Sequence, residues 1–276
     1  MDLSSTLRLS NGVEIPRLGL GTFRLEKGAQ TQNAVAWALE AGYRHIDTAA
    51  MYGNEEDVGW AVAQNQVRRE DVFITTKLRN DDHGYESTLK ACEESLRQLQ
   101  TDYIDLYLVH WPVSGLRGKT WDAFTKLYEQ GKCRAIGVSN YTIRHLNELL
   151  ANNSLVPMVN QVEIHPFLYR KDLIDYCTAR GIAVEAYSPL SKARRMDDPR
   201  LVSMAGRCQR SVAQVMIRWT LQHGWISLPK SVRQERIVEN ADVFDFDLAP
   251  ADMLILDGMD EGYYTVRPDW IPDKWA

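Results

Sequence analysis

Cysteine is sparse in this chain and wrongly spaced for metal or redox work. Cys92, Cys133, Cys177 and Cys208 lie far apart, with no CxxC pair and no His-Cys ligand spacing. That pattern argues against a zinc site or a disulfide framework and fits reduced structural thiols in a cytosolic protein. Long apolar runs are missing as well: nothing approaches the roughly 20 residues that a membrane helix needs. The start, Met1-Asp2-Leu3-Ser4-Ser5, lacks the cationic and apolar regions of a signal peptide, so a cytoplasmic location is expected. There is no surplus of positive charge. A formal net charge of -5 gives no general attraction to nucleic acid or acidic membranes, so any cationic site must be local. A dinucleotide-binding glycine turn is also absent. Gly19-Leu20-Gly21-Thr22-Phe23-Arg24 has no third glycine and does not promptly open a helix. No long polar linker divides the chain, and residues 1–276 are read as a single domain.

What is present suits one well-buried core: 276 residues, 45% hydrophobic and 25% charged. Thr6 to Leu9 and Val13 to Ile15 flank Ser10-Asn11-Gly12, and Asn-Gly favours the tight turn of a β-hairpin. Strand and helix signals then alternate. Strands are predicted over 18–21, 45–47, 72–77, 104–110, 134–139, 159–163, 182–187 and 225–228. Helices are predicted over 31–41, 54–64 with Asn54 as cap, 83–99, 120–130, 143–151, 171–180, 199–207, 212–222 and 234–240. One more, over 249–259, and a tail fall outside the count. Eight strands each followed by helix close most naturally into an α/β (β/α)8 TIM barrel. The hairpin is expected to cover its bottom, and the extra C-terminal helix and tail to lie outside the eight-fold repeat.

Three consecutive predicted strands end in Asp47, Lys77 and His110, and Tyr52 follows the first. The carboxyl ends of barrel strands are where reactive groups sit. A free tyrosine has a pKa near 10. A neighbouring ammonium favours the phenolate and lowers that value, so Lys77 is expected to make Tyr52 a better acid, with Asp47 pairing Lys77. His110 can orient a carbonyl oxygen toward the phenol, which amounts to general acid catalysis beside an incoming hydride or nucleophile. Singly, each residue has an ordinary alternative: a solvated charge at a strand end, or a tyrosine used for packing. At successive strand ends together, they point to chemistry.

The ordered stretches Gly42-Tyr43-Arg44-His45-Ile46-Asp47-Thr48-Ala49, Tyr52-Gly53-Asn54-Glu55, Ile74-Thr75-Thr76-Lys77-Leu78, His110-Trp111-Pro112, Gly137-Val138-Ser139-Asn140 and Leu228-Pro229-Lys230-Ser231-Val232 resemble the aldo-keto reductase family. The likeness runs from about residue 6 to about residue 262 and is strongest to short-looped bacterial members such as the 2,5-diketo-D-gluconate reductases. It implies reduction of an aldehyde or ketone by NADPH, with Tyr52 as proton donor, Asp47 and Lys77 tuning it, and His110 orienting the carbonyl. It also implies Gly21, Thr22 and Asp47 at the cofactor, and Ser139, Asn140 and Gln161 on the carboxamide. Tyr187 is implied as the stacking platform, and Ser188 and Leu190 as the start of the pyrophosphate loop. Lys230, Ser231, Val232, Arg236, Glu239 and Asn240 are implied at the adenosine end. The basic turn has a rationale of its own: a 2′-phosphate needs cations and helix N-terminal amides, whereas an NAD site favours an acid for the ribose hydroxyls.

The resemblance implies a substrate pocket of Phe23, Met51, Arg79, His110 and Trp111, joined by tail aromatics from Tyr263, Tyr264, Trp270 and Trp275. Arg79 stands where the family commonly has Trp, and a guanidinium there would either favour anionic substrates or face solvent. The loop Ser191-Lys192-Ala193-Arg194-Arg195 is richer in charge than the family's usual glycine-bearing one, which suits either a pyrophosphate clamp or a solvated surface. No metal is expected, because the phenol supplies the electrophilic assistance that zinc gives other dehydrogenases. The expected partner is a small-molecule carbonyl compound, and the expected state a monomer. Two alternatives stand beside this: a cofactor-binding regulatory or structural barrel without turnover, and a barrel isomerase of a phosphorylated sugar.

Overall fold

The computed structural model describes residues 1–275, apart from the side chain of Asn152. Eight parallel strands form one sheet: β3 (Leu20–Gly21), β4 (His45–Asp47), β5 (Phe73–Leu78), β6 (Ile104–Val109), β7 (Cys133–Ser139), β8 (Val159–Glu163), β9 (Ala183–Tyr187) and β10 (Ile226–Leu228). Both faces of β5 and β6 are buried along their full length, as crossover helices on the outside and a filled interior require. The sheet closes on itself. Leu18 bridges to Ser227, the Gly19 amide donates to the Ser227 carbonyl at 3.0 Å, and the Gly21 amide to the Pro229 carbonyl at 3.0 Å. Gly19 explains why the first strand reads weakly in sequence: a Cβ there would lie 2.7 Å from Leu228 and 2.8 Å from His45. The seam closes only where the side chain is missing.

Before the barrel, β1 (Thr6–Arg8) and β2 (Glu14–Pro16) pair antiparallel. Ile15 is wholly buried. Asn11 donates to the Arg134 carbonyl at 2.9 Å and Arg17 to the Gly224 carbonyl at 2.8 Å. Both acceptors lie at the amino ends of barrel strands, so the hairpin covers the bottom, as expected.

The outer ring consists of α1 (Ala29–Glu40), α2 (Glu55–Gln64), α3 (Tyr85–Gln98), α4 (Arg117–Glu129), α5 (Ile143–Asn152) and α6 (Lys171–Thr178), then α8 (Val212–Gln222) and α9 (Gln234–Ala241). Two further helices, α7 (Pro199–Cys208) before α8 and α10 (Pro250–Asp257) after α9, lie outside the repeat. Among the described residues no helix is long and apolar enough to cross a membrane.

Several element bounds shift by a residue or two, α1, α6 and α10 among them, and three local expectations change for a reason the contacts show. Asn54 does not cap α2 with its side chain. Instead it donates to the Thr22 carbonyl at 3.1 Å and accepts from the Thr48 hydroxyl at 2.9 Å, tying the loops after β3 and β4 together. Helix α3 starts at Tyr85 rather than at 83, because Gly84 has φ 115, outside the helical region. Helix α4 starts at Arg117 rather than at 120, because that buried guanidinium bonds the Pro112 carbonyl at 3.0 Å and pairs with Glu148.

Candidate active site

At the carboxyl end of β4, Asp47 accepts from the Lys77 ammonium at 2.6 Å, and Lys77 also donates to the Thr48 carbonyl at 2.8 Å. Lys77 is wholly buried, with that carboxylate as its ion-pair partner. The turn Ala50–Tyr52 that follows β4 carries the Tyr52 ring to within 5.2 Å of the Lys77 nitrogen. His110, just past β6, meets the Tyr52 ring edge-on with centroids 5.6 Å apart. Acid, ammonium, phenol and imidazole thus converge at one rim. The Tyr52 hydroxyl makes no hydrogen bond among the described residues.

Burial and the nearby Lys77 and His83 hold the His110 imidazole well below its usual range, so at neutral pH the ring is uncharged and carries a single N–H. The Asp47 carboxyl is pushed up by burial, while contact with Lys77 and Gln161 holds it back. The structure reverses one expectation here. Tyr52 sits well above the ordinary phenol value, raised by burial and by the Asp47 and Glu185 carboxyl groups. The Lys77 cation lies against the phenol ring but is matched by Asp47, so it does not overcome desolvation.

The strand register sets Ser139, Gln161 and Glu185 side by side on β7, β8 and β9. Ser139 donates to the Gln161 carbonyl at 2.8 Å. Asn140, in a left-handed conformation at φ 62, donates to the His110 carbonyl at 3.0 Å and accepts from the Tyr187 hydroxyl at 2.9 Å. It therefore connects the His110 backbone to the aromatic ring at the end of β9. Thr22 bonds the Asp47 carbonyl through its amide at 2.9 Å and its hydroxyl at 3.0 Å. Gly21 pairs with Asp47 across the sheet.

Lys230, Arg233 and Arg236 gather where β10 runs into α9, and none has an ion pair among the described residues. Lys230 is lowered by burial and by Arg24 nearby. Ser231 accepts from the Arg233 amide at 3.1 Å, and the start of α9 has no side-chain cap. Unpaired cations beside free helix amides form a donor set that suits a phosphate. Val232 is exposed, Glu239 half-buried and Asn240 buried.

Trp111 is buried between two tail rings, edge-on to Trp270 at 4.9 Å and stacked on Trp275 at 5.3 Å. Phe23 lies 5.0 Å from Tyr52 by ring centroid, and Phe23 and Met51 are both exposed. Tyr263 instead contacts Arg195, and Tyr264 packs near Arg170. The Arg79 side chain is 52% exposed and 3.6 Å from Asp81, so it presents no committed cation. Lys192 donates to the Thr265 carbonyl at 3.0 Å while Glu163 accepts from the Thr265 amide at 2.8 Å. This double clamp ties the loop after Ser188 and Leu190 to the tail. Sequence reading missed it, and also missed Glu185, which lies within the predicted strand 182–187 and was given no role there.

The profile described as the aldo/keto reductase family matches residues 17–261. A protein named glyoxal reductase from Bacillus subtilis is 51% identical over 259 residues, 94% of each chain. A Brucella melitensis aldo/keto reductase crystal structure is 45% identical with a TM-score of 0.90, covering 93% of this chain and all of its own. A Bombyx mori aldo-keto reductase solved with NADP is 35% identical with a TM-score of 0.91, covering 98% and 97%. With the barrel, the rim and the profile in agreement over nearly the whole length, this chain belongs to the aldo/keto reductase family.

Proposed function

We propose that the chain reduces a small aldehyde or ketone to the alcohol with NADPH, and that Tyr52 supplies the proton. When bound, the cofactor supplies the hydride. Everything else falls to the chain. Ser139 and Gln161 offer polar groups for a carboxamide, and Tyr187 offers an aromatic face. Lys230, Arg236 and the start of α9 suit a 2′-phosphate. His110, uncharged, can donate its N–H to the carbonyl oxygen and align it with Tyr52. A phenol whose pKa is raised keeps its proton at neutral pH and can still protonate the far more basic alkoxide. Lys77, against the ring, then stabilises the phenolate left behind. The observation that carries this reading is the Tyr52 ring, set 5.2 Å from the buried Lys77 ammonium and edge-on to the neutral His110 imidazole, with a hydroxyl that has no hydrogen bond among the described residues.

The relative named glyoxal reductase makes a dicarbonyl the first substrate to try, alongside an activated aromatic aldehyde. The test is NADPH oxidation followed with the wild type and with Tyr52→Phe. The variant is expected to lose roughly 100- to 10,000-fold in kcat and to keep NADPH affinity. Substantial residual turnover would move the proton to another donor, His110 first. Absence of turnover by the wild type across aldehydes, diketones and keto acids, with NADPH still bound, would favour a regulatory barrel.

A further inference from the structure

The Gln161 amide has a fixed orientation. Its nitrogen donates to the Asp47 carboxylate at 2.7 Å and to Glu185 Oε2 at 2.6 Å. An amide nitrogen carries only two hydrogens, so both are in use. Among the described residues nothing donates to Oε1. Turned the other way, the carbonyl would face the Asp47 carboxylate, which pairs with Lys77 and has no hydrogen to give, so that carboxylate would lose its amide donor and meet a second acceptor. We infer that Glu185, outside the reacting set, is a positioning residue: with Asp47 it locks Gln161 so that Oε1 faces the cleft, ready to accept an N–H from a nicotinamide carboxamide. The inference rests on the nicotinamide-dependent reading above.

Glu185 is otherwise hard to account for. It is wholly buried, where an acid is expensive to hold. The groups that face it are Asp47, Lys77, His45, Gln161 and the Tyr52 phenol. None gives it a dedicated cation. Lys77 is committed to Asp47 and the Thr48 carbonyl. His45 Nδ1 lies 3.3 Å from the Pro16 carbonyl, an acceptor only, so it carries the ring's proton. Nε2 is then left to accept from the Thr75 hydroxyl at 2.9 Å. Burial holds that imidazole at about 3, uncharged. Burial and the Asp47 charge push Glu185 up to about 8. At neutral pH it is a neutral acid whose carbonyl oxygen accepts from Gln161 without adding a second negative charge beside Asp47.

Glu185→Gln keeps an acceptor oxygen, and Glu185→Leu removes it. Binding of NADPH and of adenosine 2′,5′-bisphosphate, which has no nicotinamide, is measured by tryptophan fluorescence quenching. Glu185→Leu is expected to weaken NADPH roughly 5- to 10-fold, the worth of one buried hydrogen bond, with Glu185→Gln within about twofold of wild type. Adenosine 2′,5′-bisphosphate should bind all three alike. Unchanged NADPH affinity in Glu185→Leu overturns the inference, and so does an equal loss for both ligands, which reports a damaged barrel. A wild type that binds neither ligand removes the nicotinamide reading itself, and the inference with it. Should Glu185→Leu not fold, the Gln161 side-chain amide is followed by NMR in the cofactor-free wild type. Two inequivalent, slowly exchanging protons that shift with a midpoint near pH 8, and do not shift in Glu185→Gln, are expected. Signals of a freely rotating glutamine amide would overturn it.

Discussion

Arg236 sits exposed in the first turn of α9, beside Lys230 and Arg233 and without an ion pair among the described residues. Cations this close along the chain, none with an ion pair among the described residues, suit a doubly charged phosphate. On the proposed NADPH reading, replacing Arg236 with Ala would remove one charge-assisted hydrogen bond to the 2′-phosphate at an exposed site. NADPH binding should weaken by about 10-fold, while NADH, which lacks the 2′-phosphate, should bind as before. Parallel titrations of both cofactors check this, and an unchanged preference would detach the basic turn from cofactor choice. Tyr52 teaches a different lesson at the same scale. Its neighbours could be named from sequence, because strand-end positions place Asp47, Lys77 and His110 on one rim. The direction of its shift could not, because desolvation depends on how the surrounding chain closes over the ring.

Helix and strand identity follow from local patterning, so most elements of the barrel were legible along the chain. Their ends were less so, since Asn54 and Arg117 answer to partners in distant loops. The Thr265 clamp joins segments 73 and 102 residues apart, and no local pattern announces it. Gly59 shows the same tension within one helix. In the middle of α2 a glycine is worth about 1 kcal/mol less than alanine, which by propensity alone would make Gly59→Ala stabilising. A Cβ at this position, however, would lie 2.5 Å from the backbone carbonyl of Leu99 at the end of α3. Backbone cannot swing aside as a side-chain tip can, so the two helices must separate. Overpacking of this kind costs about 1–3 kcal/mol. With a backbone clash this short the cost should lie toward the upper end and packing should win, so Gly59→Ala should be destabilised by up to about 2 kcal/mol net in urea unfolding. A variant as stable as wild type or more so would mean that α2 and α3 are not in close contact here.

Across the whole molecule, several buried ionisable groups outside the Lys77–Asp47 pair are held in their neutral forms, and this sets how stability varies with pH. His45 is lowered to about 3 and His83 to about 4, both chiefly by burial, and His110 lies well below its usual value. Unfolding releases each to an ordinary pKa near 6.5. Below that value the unfolded chain binds more protons than the folded one, so stability falls as pH drops from about 6.5. Each such histidine contributes a slope of up to about 1.4 kcal/mol per pH unit. Glu185 acts in the opposite sense. Folded it holds its proton up to about 8, and unfolded it releases it near 4.3. Between those values the folded chain binds the extra proton, so stability falls as pH rises. Between pH 4.3 and 6.5 four lowered histidines, His145 among them, oppose Glu185 and the raised carboxyls of Glu55 and Asp47; from 6.5 to 8 Glu185 acts without the histidines. Maximum stability is therefore expected near pH 6.5, with a decline toward pH 8 that Glu185→Gln flattens, while the acid limb steepens because the opposing carboxyl is gone. Urea unfolding midpoints for both proteins from pH 5 to 9 test this. Parallel curves above pH 6.5 would place the Glu185 proton elsewhere, and a flat acid limb would mean that the buried imidazoles find partners when charged.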